Sequence, residues 1–163
     1  MFHTQEARQW RLTAPVLCDK EDAWLGVGYY FWDDQEDAIR WGNDFKKRTG
    51  KFDVYEAAID CSNVLDTVFN ENEYRFWLKQ IERVGKNWLV KTGKKIDLKQ
   101  MNNYFRDRGV WKGVDGILFQ DLPTNQDYLL VIGFYYRKKL QLVVYNNQII
   151  LSFSHYQNYE CPQ

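Results

Sequence analysis

The stretch Leu25-Gly26-Val27-Gly28-Tyr29-Tyr30-Phe31-Trp32-Asp33-Asp34 leaves a folding chain few choices. Two glycines one residue apart permit a tight turn and a close backbone approach, because neither carries a Cβ. Four consecutive aromatics then favour a pleated strand, predicted over 28–32, on whose surface flat side chains pack well. Asp33 and Asp34 end that strand, and Asp34 suits the N-cap of a following helix, with Asp37 three residues on. Glycine turn, aromatic strand and acid-capped helix make either a corner of the core or a platform on which a flat ligand can lie.

The helix is predicted over 35–48, since Ala38, Trp41 and Phe45 share one face. Lys46, Lys47 and Arg48 complement the dipole of its last turn, and Gly50 closes it. Upstream, residues 1–4 form a strand only if paired early, and 5–24 lack periodicity, which predicts loop with a short helix near 6–10. Downstream, 52–59 reads as a strand. Tyr74, Trp77, Ile81 and Val84 make an amphipathic stripe over 71–84 that stops at Gly85. A more polar helix over 97–108 lies between the caps Asp97 and Gly109. After Gly113 come four β-like runs, 115–119, 128–134, 140–145 and 148–156, with Asn146-Asn147 predicting a hairpin between the last two. This order predicts a single α+β domain over residues 1–163, with an antiparallel C-terminal sheet.

Lys plus Arg and Asp plus Glu both number 22, so no global field draws the chain to nucleic acid or membrane. An anionic partner must be met locally. Lys46-Lys47-Arg48, Lys94-Lys95 and Arg137-Lys138-Lys139 are the local clusters, either solvated ends of elements or phosphate contacts. Beside aromatics they would suit single-stranded RNA or DNA. Aromatic content of 17% is high and fits a dense core or a stacking surface. Cys18, Cys61 and Cys161 lack metal-ligand spacing and read as free thiols of a reducing compartment, with no metal expected. No apolar run reaches the roughly 18 residues of a membrane span, and Met1 to Thr4 does not read as a signal peptide, so a soluble cytoplasmic protein is expected. Serine-hydrolase elbows and zinc-protease motifs are absent, and Gly26-Val27-Gly28 precedes a strand instead of following one as a phosphate loop does. Of the two histidines, His155 reads as structural, while His3 stands beside a hydroxyl residue, Thr4.

Three segments form an ordered set: Phe2-His3-Thr4, Gly26 to Phe31 with Trp41 beyond it, and Leu140-Gln141-Leu142-Val143-Val144-Tyr145-Asn146. Together they resemble the ADP-ribosyltransferase superfamily, in its diphtheria-toxin and poly(ADP-ribose) polymerase branch with a His–Tyr–Glu triad. The resemblance covers both ends of the chain and leaves roughly 60–112 unmatched. It implies split antiparallel sheets around an NAD cleft, with inserted helices, and NAD as a substrate without metal. His3, Tyr30 and Gln141 would be the catalytic set; Phe2, His3, Thr4, Gly28, Tyr30 and Trp41 would bind the dinucleotide. His3 would bond the nicotinamide ribose, the backbone of Phe2 to Thr4 the carboxamide, and Tyr30 and Trp41 would sandwich the ring.

The departure lies at Gln141, where the family has glutamate. An amide hydrogen-bonds a ribose hydroxyl but is no general base, and it brings no charge to an oxocarbenium-like ribose. The implied activity is therefore mono-ADP-ribosyl transfer to RNA, DNA or protein, to an acceptor that either needs little deprotonation or is activated by another carboxylate (Asp115, Asp121 or Glu160). NAD glycohydrolysis and a catalytically silent nucleotide-binding or nucleic-acid-binding module stand as alternatives. Outside the resemblance, an unrelated α+β nuclease or structural subunit fits the same pattern. By resemblance, a small transferase of this kind is a toxin of a toxin–antitoxin or phage-defence system, with a neutralising antitoxin protein as partner.

Overall fold

The computed structural model describes residues 1–20, 23–121 and 139–162. The first strand, β1 (Phe2–Glu6), is held because it is paired along its whole length. The strand β3 (Lys51–Ile59) runs antiparallel to it from Phe2↔Glu56 to Glu6↔Phe52. The aromatic run forms β2 (Tyr29–Trp32), paired antiparallel with β6 (Lys139–Val144) from Tyr29↔Val144 to Trp32↔Gln141. On the other side of β6 lies β5 (Gly116–Asp121), which also pairs in parallel with the short β4 (Val64–Asp66). The last strand, β7 (Ile150–Glu160), joins β3, giving the order β4-β5-β6-β2-β1-β3-β7.

Two sequence expectations change here. Among the described residues, the expected split pair of antiparallel sheets is one seven-stranded sheet, mixed because β4 and β5 are parallel. Its halves meet through a single residue pair, Phe2↔Trp32, after which β1 and β2 diverge. The expected hairpin at Asn146-Asn147 is absent. Asn146 instead caps one 3-10 turn over Asn147–Ile149, and the chain crosses to the far edge as β7. Both sides of β6 are already occupied by β2 and β5, so the long free side of β3 is where an eleven-residue strand finds backbone partners.

The helices follow their caps more than their periodicity. In α1 (Gln35–Phe45), the Asp34 carboxylate accepts from the Glu36 N–H at 2.6 Å, and Asp37 lies buried in the first turn. This helix ends before Lys46-Lys47-Arg48. The Glu6 carboxylate accepts from the N–H groups of Arg48 and Thr49, a charged acceptor stronger than the helix carbonyls those groups would otherwise meet. The same use of Glu6, with Ala7 N–H donating to the Lys51 carbonyl, explains why no helix forms over 6–10.

The second helix, α2 (Glu71–Thr92), runs through Gly85 to a left-handed cap at Gly93. One internal glycine costs about 1 kcal/mol, too little by itself to stop a helix. By contrast, α3 (Leu98–Asp107) has the expected ends: an Asp97–Gln100 capping box and Gly109 at φ 67°. The predicted strand at 128–134 and the cations Arg137 and Lys138 lie outside the described residues.

Three apolar clusters hold these elements. Trp77, Met101, Phe105 and Trp111 from α2, α3 and the turn after α3 pack on Ile117 and Val143 of one sheet face. Phe31, Leu142 and Val144 meet Ala57 of the other half of the sheet. Beneath α1, Ala38 packs with Trp32, Phe52 and Val54. Among the described residues, no helix is long and apolar enough to cross a membrane.

Candidate functional site

Where β1 leaves β2, the sheet opens into a cleft of about 480 Å³. His3 and Thr4 of β1, Tyr30 and Trp32 of β2, Trp41 of α1 and Gln141 of β6 all line it. Five of the seven residues expected to serve NAD thus converge on one cavity from three distant segments. The other two do not line it. Phe2 packs beneath α1 and edge-on against Tyr156, with ring centroids 5.8 Å apart. Gly28 is a packing glycine: a Cβ there would fall 2.5 Å from Val143 Cγ2 and 2.9 Å from the Val144 carbonyl. Its smallness lets β2 lie close on β6, while its peptide bonds Cys18 in both directions.

His3 is buried, and both of its ring nitrogens are engaged. Nδ1 lies 2.8 Å from the Tyr30 carbonyl, a group that β1 would pair with if the strands had stayed together. A carbonyl only accepts, so Nδ1 carries the proton and Nε2 is an acceptor, facing Gln5 Nε2 at 3.3 Å and Val16 N–H at 3.4 Å. Burial lowers the imidazole pKa to about 4 against the opposing pull of the Tyr30 bond, with the Lys46 charge assisting. His3 is therefore neutral at physiological pH. Beside it, the Thr4 hydroxyl donates to the Ala38 carbonyl at 2.8 Å and pins α1 against β1.

The phenol of Tyr30 shapes the wall from below. It donates to the Gly26 carbonyl at 2.7 Å and accepts from Leu25 N–H at 3.1 Å, fixing the turn whose Gly26 has φ 95°. Trp41 stacks on Phe45 with centroids 4.1 Å apart and tilts onto Trp32 at 5.8 Å. An aromatic path therefore leads from the cleft wall to the exposed end of α1.

The loop between β1 and β2, unassigned by periodicity, forms much of the remaining wall through Arg8, Val16, Cys18, Lys20 and Trp24. Trp24 is the residue sequence reasoning missed. Its Nε1–H donates to Gln141 Oε1 at 2.8 Å. Indole is donor-only, so this bond fixes which end of the amide is which. The Gln141 NH2, with no hydrogen bond among the described residues, is left as the donor end. No local signal in the sequence couples residue 24 to residue 141.

The three candidate carboxylates separate cleanly. Asp115 accepts from Asn63 and Asn146 away from the cleft, and Glu160 pairs with Lys51 at 2.8 Å near the end of β7. Asp121 lines the cleft. The pairs Phe119↔Gln141 and Asp121↔Lys139 put residues 119, 121, 139 and 141 on one sheet face, so Asp121 shares the Gln141 face. Desolvation raises its pKa above the usual carboxylate value, with Lys139 opposing and Asp37 assisting. His155, read as structural, meets Asp53 at 3.0 Å on β3. Among the described residues, no group of three or more His, Cys, Asp or Glu is placed to hold a metal ion. No family model, curated protein or solved structure matches this chain.

Proposed function

We propose that the cleft binds NAD and that the protein is a mono-ADP-ribosyltransferase of the kind its three motifs resemble. The observation that carries the reading is the convergence of His3, Thr4, Tyr30, Trp41 and Gln141 on one cavity. The aromatic walls suit the nicotinamide ring, and Arg8, Lys46 and Arg48 at the mouth suit the pyrophosphate. A ribose hydroxyl would reach the neutral His3 at Nε2 by displacing the long contacts from Gln5 and Val16 N–H.

Transfer breaks the bond between ribose C1′ and the nicotinamide nitrogen. The leaving group takes the electron pair and departs neutral, and positive charge builds on the ribose. The Gln141 NH2 orients a ribose hydroxyl, but with Oε1 held by Trp24 it adds no negative charge to that cation. Asp121, on the same face, supplies the charge and takes the proton from the acceptor as the new bond to C1′ forms.

Incubation with NAD labelled in the adenylate half, plus cell extract, tests this. Release of nicotinamide with label on a macromolecule is expected. Nicotinamide release with free ADP-ribose alone would reassign the protein as a glycohydrolase. Saturable NAD binding with no turnover would leave a silent binding module. Growth arrest on expression, relieved in the His3→Ala form, would accord with a toxin role and justify a search for an antitoxin.

A further inference from the structure

Two short segments far apart in sequence have the same make-up. Arg8-Gln9-Trp10-Arg11 interleaves cations with an aromatic, and Phe45-Lys46-Lys47-Arg48 sets an aromatic before three cations. The fold stitches them side by side. The Glu6 carboxylate accepts from Arg48 N–H at 3.1 Å and from Thr49 N–H and Oγ1 at 3.2 and 2.7 Å, and Ala7 N–H donates to the Lys51 carbonyl. Arg8, Lys46 and Arg48 line the mouth of the cleft, so both segments border the same opening.

Their aromatics face water. Trp10 is 77% exposed and Phe45 62% exposed, the latter stacked on Trp41 of the cleft wall. Neither ring is needed to fill a core. The Glu6 carboxylate is occupied by the three bonds that join the segments, and Asp44, next to Phe45, is the other acid beside the strip. Alternating cations and open ring faces match a phosphate backbone whose unpaired bases stack. A duplex hides its base faces, and an acceptor protein has no regular anionic spacing for these cations.

We infer that this paired strip seats a single-stranded nucleic acid, with bases stacked on Trp10 and Phe45 and phosphates on Arg8, Arg11, Lys47 and Arg48, and that this strand is the ADP-ribose acceptor. The identity of the acceptor rests on the transferase reading; the seat itself does not require NAD.

Fluorescence anisotropy of the full chain with a fluorescein-labelled mixed-sequence oligonucleotide of about 12 nucleotides, without NAD, tests the seat. Single-stranded RNA, single-stranded DNA and the matching duplex form the three arms. Saturable binding of one or both single strands is expected, weakening as salt rises from about 50 to 200 mM, with the duplex weaker than either. Trp10→Ala and Phe45→Ala should each weaken binding by roughly fivefold to a hundredfold, at unchanged melting temperature. Equal affinity for the duplex, or no loss in either variant, would overturn the seat. So would the absence of strand binding in a protein that turns over NAD. Strand binding with no NAD turnover would sink the transferase reading and leave the seat standing. Label found on protein and never on the bound strand would overturn the strand as acceptor.

Discussion

Acidification should destabilise this protein through His3, and the size of the effect follows from the burial of one ring. Imidazole titrates near 6.5 in an unfolded chain, and burial lowers the His3 value to about 4 in the fold. Between those values the unfolded state binds more protons than the folded one, so stability falls as pH drops through that window. Above the unfolded value the contribution is intact, and below about pH 4 no more is lost. The whole window is worth about 3 kcal/mol, and the drop from about pH 8 to pH 5 about 2 kcal/mol. His3→Asn keeps a donor for the Tyr30 carbonyl and removes the titration. Urea unfolding of both proteins at the two pH values isolates the effect: the wild type should lose about 2 kcal/mol more than the variant. An equal loss in both would refute a buried neutral imidazole, as would a His3 resonance in NMR titrating near 6.5.

Four further outcomes follow from the site. Trp24→Phe leaves the buried Gln141 carbonyl without its donor and should cost about 1–3 kcal/mol in denaturant unfolding, much of it recovered in the Trp24→Phe, Gln141→Leu double variant. A simple sum of the two single effects would mean the bond is not formed. Asp121→Asn should leave NAD affinity within about twofold while cutting label transfer by about 100-fold or more, with Asp121→Glu restoring part of it. Unchanged transfer would remove Asp121 as the base. Gln141→Glu keeps an acceptor for Trp24 and adds charge at the ribose, so nicotinamide release should rise; a fall would show that the amide NH2 is itself required. Gly28→Ala drives a methyl into Val143 and should lower stability by about 1–3 kcal/mol, with NAD affinity retained by the folded fraction. Lost affinity at full stability would return Gly28 to the ligand.

Much of the local structure was legible because its causes are local. Asp34, Asp97 and Gly109 act within a few residues of themselves, and the run Tyr29–Trp32 makes a strand wherever it is placed. The sequence also named His3, Tyr30, Trp41 and Gln141 as a set, through a resemblance of ordered motifs that needs no knowledge of the path between them. Partner choice was not legible. Whether β7 follows β6 or crosses to β3 depends on which strand sides are already filled, which is a property of the assembled sheet. The helix ends at Phe45 and Thr92 were not legible, because Glu6, some forty residues before the first, captures its next amides, and because a single glycine is a weak stop.

The platform of Gly26 to Trp41 was determined by sequence alone; what it faces was not. Tertiary structure packed Gly28 against Val143, tied Gln141 to Trp24, and put Asp121, of the three carboxylates, in the cleft wall. Each of those outcomes turns on which side chains share a sheet face or a wall. Strand alternation says that residues 119 and 121 share a face, but register alone says which residues of the neighbouring strand share it with them.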